Sequence, residues 1–144
     1  IMSVGILVIS HGNIGSSFID AAKQMIGQNT LKIKSLDANV ALDANIESTL
    51  DELYAKASLL VKEVDQGDGV LVLTDLFGST PSNIAHRLYE KNNISVVTGI
   101  NLPMLIRILS SSRLSLEAIT KKAYSGGVDG IKINGTDNGG ISEK

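Results

Sequence analysis

The chain has no cysteine and no tryptophan, only two prolines, and aromatic residues fill 3% of its 144 positions. Without cysteine there is no disulfide, no thiolate metal site and no cysteine nucleophile. That absence suits a reducing compartment. With so few aromatic rings, stacking platforms for bases or sugars are not expected. Basic charge is scarce as well: the formal net charge is −2 and no run of Lys or Arg occurs. Nucleic acid and anionic membrane are therefore not expected partners. No segment approaches the ~20 uninterrupted apolar residues that span a membrane. No basic stretch precedes an apolar run as in a signal peptide. Ile1 precedes Met2, the expected natural start, and the cytoplasm is the expected location.

What is present is an alternation of strands and helices over a length that suits one domain. Val4–Ile9 is a continuous apolar run, the pattern of a parallel strand covered on both faces. Ser16 or Ser17 is the expected cap of a helix with Phe18, Ala21, Ala22, Met25 and Ile26 on its apolar face, stopped by Gly27. Leu31–Asp37 alternates and reads as a half-exposed edge strand. A long helix follows, with the stripe Ile46, Leu50, Leu53, Ala57, Leu60, Val61 and Val64. Asp43 or Asn45 is its cap, and Gly67 lies past its end.

Gly69–Leu73 is a second continuous apolar strand. Thr80-Pro81 opens the next helix, with Thr80 as N-cap and Pro81 at the first helical position; it continues through Ile84, Ala85, Leu88 and Tyr89. Ile94–Thr98 is a further apolar strand. Asn101-Leu102-Pro103 opens a helix carrying Met104, Leu105, Ile108 and Leu109. Ser115 caps another, with Leu116, Ile119 and Ala123, ended by Gly126-Gly127. Val128–Ile133 reads as a short last strand, and residues 134–144 as a frayed polar tail. The order implies an α/β fold: one doubly wound, mostly parallel sheet with helices on both faces. The first, third and fourth strands read as central.

Open α/β sheets bind ligands beyond the carboxyl ends of their strands. Three such ends carry polar residues beside glycine or proline: Ser10-His11-Gly12, Thr74-Asp75 through Thr80-Pro81, and Thr98-Gly99 through Asn101. His11 is the leading candidate, since an imidazole there acts as base, ligand or nucleophile. Adjacent parallel strands lie about 4.8 Å apart, so Asp75 is within reach of it. A carboxylate on one ring nitrogen sets the tautomer and leaves the other free. The helix opening at Thr80 offers backbone N–H groups and a positive dipole end to an anion. Gly78 permits close approach, and the hydroxyls of Ser79 and Thr80 are further donors. Together these parts suit phosphoryl transfer onto imidazole.

Other readings are weaker. Gly12-Asn13-Ile14-Gly15 lacks the P-loop lysine and the third dinucleotide glycine. His86 reads as a surface or packing histidine. Ser111 and Ser112 read as loop residues. Two distant histidines without thiols or paired carboxylates near His11 do not make a metal site, and no Gly-x-Ser-x-Gly elbow is present.

Three stretches, Val4–Gly12 (VGILVISHG), Asp75–Asn83 (DLFGSTPSN) and Gly99–Leu105 (GINLPML), resemble the IIA domain of the mannose family of the sugar phosphotransferase system, in order and spacing. The resemblance covers residues 2–133. It implies a phosphohistidine at His11, which takes phosphoryl from phospho-HPr and passes it to EIIB. EIIB then phosphorylates the sugar, and the membrane IIC/IID components are engaged only indirectly. It implies Asp75 as the orienter of His11 and Thr80 as a phosphoryl contact, with Ser79, Gly78 and Ser10 around the same group. No metal or organic cofactor is needed. The family usually has Gly-Gly before the hydroxyl residue, where this chain has Gly78-Ser79. A large apolar residue is common after the proline; Ser82 stands there, a change expected to bear on the partner surface more than on the chemistry. The family fold adds an antiparallel fifth strand, exchanged between the subunits of a homodimer, and Val128–Ile133 is its match. A regulatory receiver related to transcription activators is the second reading. A dihydroxyacetone-kinase phosphoryl donor is a more distant third.

Overall fold

A computed structural model describes residues 3–27, 31–39, 45–91, 93–111 and 113–135, the side chain of Ile46 excepted. Met2, Asp43, Ser112 and the tail from 136 lie outside the described residues. Among the described residues the elements follow in the order β1 (Gly5–Ser10), α1 (Ile14–Ile26), β2 (Ile33–Asp37), α2 (Ile46–Val64), β3 (Val70–Thr74), α3 (Thr80–Tyr89), β4 (Ile94–Thr98), α4 (Leu102–Leu109) and α5 (Leu116–Asp129). The four strands form one parallel sheet in the order β2-β1-β3-β4.

Strand alternation divides the core between two faces. Ile6, Val8, Leu71 and Leu73 pack with Ile19 and Ala22 of α1, Met104, Leu105 and Ile108 of α4, and Ile119 and Ala123 of α5. Leu7, Ile9, Val70 and Val72 pack with Leu53, Ala57 and Val64 of α2 and Ile84, Ala85 and Leu88 of α3. This two-sided burial explains why β1 and β3 are apolar without a break. Each fully buried Leu or Ile contributes about 1.5–3 kcal/mol relative to exposure. A side chain at Gly5 would come within 2.1 Å of the Val64 carbonyl oxygen, so only glycine lets the end of α2 lie against β1. No described helix is long and apolar enough to cross a membrane.

Five sequence expectations are corrected. α1 begins at Ile14 with Asn13 as N-cap, earlier than Ser16 or Ser17. Its first-turn donor on Gly15 is satisfied from the sheet, by the Ser10 hydroxyl at 2.8 Å. α3 is capped by Ser79, with Thr80 the first helical residue and Pro81 the second. Proline is tolerated there because the first-turn N–H has no intrahelical partner.

α5 runs through Gly126 and Gly127 to Asp129. Those glycines serve packing: side chains there would come within 2.8 Å of Arg107 Cβ and 2.9 Å of Met104 Cε on α4. Val128 is therefore helical, and residues 131–135 belong to no strand among the described residues. β4, expected to be central, consequently lies at the sheet edge, with Ser95 to Thr98 only half-buried.

Asn45, Asn101 and Ser115 cap their helices as expected, accepting from the N–H groups of Ser48, Met104 and Ala118.

Candidate functional site

β1 and β3 are hydrogen-bonded neighbours, with Ile9 opposite Thr74. The chain leaves both strands at the same end of the sheet, so His11 and Asp75 emerge side by side. One carboxylate oxygen, Asp75 Oδ2, accepts from the His11 backbone N–H at 2.9 Å and meets His11 Nδ1 at 2.8 Å. The His11 side chain is 43% exposed and that of Asp75 13%. The histidine is thus accessible while its partner is nearly enclosed.

Burial pushes the Asp75 carboxyl up, but the backbone N–H of His11, its ring and its charge outweigh that and hold the carboxyl below its ordinary value of 3.8. Asp75 is therefore a carboxylate at neutral pH and can only accept. It follows that Nδ1 carries a proton and that the neutral ring presents its lone pair at Nε2. The second oxygen, Asp75 Oδ1, is buried with no hydrogen-bond partner among the described residues.

The loop from Asp75 to Ser79 turns sharply into α3. Gly78 sits at φ +84, where a side chain would be strained. Ser79 has extended backbone (φ −92, ψ 176), which any residue adopts, so serine in place of a second glycine brings no strain. Its hydroxyl donates to the Leu76 carbonyl at 2.6 Å. That proton closes the turn and is not offered outward. Thr80 opens α3, half-buried. Asn83 N–H is bonded to the Ser79 carbonyl, while the N–H groups of Thr80 and Ser82 have no carbonyl partner among the described residues. These are the free first-turn donors of α3, at its positive end.

Two expected contacts lie elsewhere. Ser10 is 1% exposed, and its hydroxyl accepts from Gly15 N–H beneath the site. It fixes the start of α1 and so the loop that carries His11. Ser82 is fully buried, so its departure from the family pattern changes the packing of α3 and not an exposed face. The third strand end also stays apart from the dyad. Gly99 and Ile100 donate to the Thr74 carbonyl, and Asn101 Nδ2 donates to Gly127, tying α4 to α5.

Asn39 was not singled out in the sequence. Its Oδ1 accepts from Gly12 N–H at 2.9 Å, bracing the residue after His11 from the end of β2. The available signal was its place just past a strand beside β1. Leu76 and Phe77, 62% and 72% exposed, stand directly after Asp75, and Phe77 meets His86 edge-on with ring centroids 5.9 Å apart.

A protein-family model described as "PTS system fructose IIA component" (EIIA-man) matches residues 5–124. The mannose-specific EIIAB component of Escherichia coli K12 is 26% identical over 135 residues, covering 91% of this chain and 39% of the relative. The chain thus spans well under half of that protein. The transcriptional regulatory protein LevR of Bacillus subtilis is 30% identical over 122 residues, 84% of this chain and 11% of LevR. Among solved structures, the PTS IIA protein associated with the fucose utilization operon of Streptococcus pneumoniae superposes with a TM-score of 0.67 at 33% identity, covering 86% of this chain and 90% of that one.

Proposed function

Because the chain belongs to the EIIA-man family, we propose that it is the phosphoryl-carrier component of a sugar phosphotransferase system, with His11 as the carrier. The observation that carries this reading is the paired bond from His11 to Asp75 Oδ2, which leaves Nε2 of a part-exposed ring as the nucleophile. Nε2 attacks the phosphorus of the donor's phosphohistidine. The P–N bond to the donor breaks as the bond to Nε2 forms, and the donor imidazole leaves with the electron pair. The proton on Nδ1 stays in place, and the positive charge that develops on the ring lies against the Asp75 carboxylate. Transfer to the acceptor reverses these roles at the same nitrogen.

The free N–H group of Thr80 holds the phosphoryl oxygens in this account, with the Thr80 hydroxyl and the backbone at Gly78 beside it. Phospho-HPr is the proposed donor and EIIB the acceptor. The sugar reaches the system through the IIC/IID components and never touches this chain. No metal or organic cofactor takes part. The proposed location is the cytoplasm, where both partners act. The proposed assembly is a homodimer in which the chain beyond α5, from Ile131, lies along the partner's open β4 edge; the half-buried side chains of β4 support it.

Incubation with phosphoenolpyruvate, Enzyme I and HPr is expected to place one acid-labile phosphate per chain. A His11→Ala variant that labels as well as the parent overturns the assignment.

The similarity to LevR supports a second reading, a phosphohistidine receiver in a regulatory protein. A pull-down from phosphorylating extract separates the two. EIIB as the phosphoryl acceptor supports transport; its absence supports regulation.

A further inference from the structure

At the end of the β1–β2 ladder, Ala38 N–H donates to the Ser10 carbonyl at 2.9 Å. Ala38 is buried in the core face that holds α2 and α3. The next residue, Asn39, has its own N–H on Asp37 Oδ1 at 3.1 Å. The backbone of Asn39 is therefore anchored before its side chain makes any contact. An asparagine that only closes a turn spends its side chain on backbone close by in sequence. Here Asp37 does that, and the Asn39 carboxamide reaches back 27 positions to accept from Gly12 N–H at 2.9 Å. An N–H can only meet the oxygen, so Oδ1 faces Gly12 and Nδ2 turns away.

Gly12 follows His11 directly and sits at φ +53, in the left-handed region. Glycine has the most conformational freedom to lose, so a bond that holds it there has much to restrain. The backbone around His11 is held from three elements. Its N–H goes to Asp75 Oδ2 beyond β3, its carbonyl accepts from Ile14 N–H at the start of α1, and the following N–H goes to Asn39 beyond β2. Without the last bond, the turn beyond His11 has no tie to the β2 side.

Resting on the carrier reading above, we infer that Asn39 is a positioning residue for phosphoryl transfer. By holding Gly12 in its left-handed turn, it keeps the His11 ring on Asp75 Oδ2 and Nε2 at a constant angle to the incoming phosphorus. In-line transfer depends on that alignment. Asn39 acts through Gly12 and touches neither the phosphoryl group nor a partner protein. Both half-reactions use the same nitrogen, so both depend on Asn39 alike.

Asn39→Ala removes the acceptor, whereas Asn39→Asp keeps an oxygen for Gly12 N–H. In the unphosphorylated chain, amide exchange at Gly12 is expected to rise about tenfold in Asn39→Ala and to stay within about twofold of the parent in Asn39→Asp. Phospho-HPr as donor and a mannose-type IIB protein as acceptor read the two half-reactions. Asn39→Ala is expected to lower kcat about three- to tenfold in each, the range of one hydrogen bond, with KM within about twofold. Asn39→Asp is expected to recover most of that kcat. Asn39 is exposed, so the unfolding midpoint should hardly move. Parent-like kcat or parent-like Gly12 exchange in Asn39→Ala overturns the inference. A rise in KM in place of the fall in kcat also overturns it, because Asn39 is then a partner contact. So does an Asp variant as slow as the Ala variant, because Nδ2 is then a contact of the phosphoryl group. A parent chain that takes no phosphoryl group from phospho-HPr overturns the carrier reading, and Gly12 exchange still reports on the Asn39 bond.

Discussion

The Oδ2 atom of Asp75 receives two bonds from His11, one from the backbone N–H at 2.9 Å and one from ring Nδ1 at 2.8 Å. The first positions the loop and the second orients the ring. One carboxylate oxygen thus sets both the place and the protonation pattern of the proposed nucleophile.

Asp75→Asn retains the shape of this pair and removes its charge. A hydrogen bond to a charged group is worth about 1.5–3 kcal/mol, so phosphoryl transfer should slow about 10- to 100-fold. The far-ultraviolet circular dichroism should be unchanged. Transfer at the parent rate in rapid-quench assays would remove Asp75 from the mechanism.

The same pair gives stability a defined pH dependence. The Asp75 carboxyl lies below its ordinary value of 3.8 in the folded chain, so the unfolded chain binds the proton more readily. Its contribution is fully present above that value and is lost as pH falls through the lower, folded one. Urea unfolding should show the parent's advantage over Asp75→Asn constant near neutrality and shrinking below pH of about 4. An advantage that grows with acidity would contradict the sign.

Gly5→Ala tests the contact between β1 and α2. The added carbon would come within 2.1 Å of the Val64 carbonyl oxygen, a backbone atom that cannot turn aside. A loss of about 1–3 kcal/mol is expected from overpacking. Unchanged thermal stability would show that α2 ends farther from the strand.

Ser82→Ala should behave in the opposite way. The hydroxyl is fully buried and has no partner among the described residues, and removing an unpaired buried polar group is neutral or stabilising. Stability should hold or rise, with transfer within about twofold. A loss of more than about 1 kcal/mol would show that the hydroxyl has a bonded partner.

The His11–Asp75 pair was legible because β1 and β3 are each an unbroken apolar run, and such runs lie side by side with their carboxyl ends together. The free helix N-terminus followed from Thr80-Pro81, although the cap proved to be Ser79. Burial was harder to read. Ser10 and Ser82 are hydroxyl residues beside the motif, and only packing shows that one holds α1 and the other lies inside the fold. Gly126-Gly127 looks like a helix stop because glycine favours one. Its actual basis is the closeness of α4, a contact between segments distant in sequence. Asn39 bonds to Gly12 across 27 positions, beyond any local pattern.

The central claim is that His11 carries phosphate on Nε2 because Asp75 holds Nδ1. Phosphorylating chain labelled with 15N at histidine, using phosphoenolpyruvate, Enzyme I and HPr, and recording 15N and 31P spectra reads this directly. Phosphorus coupling is predicted at Nε2 of His11, with Nδ1 still protonated. Coupling at Nδ1, or phosphate on His86, would contradict the account.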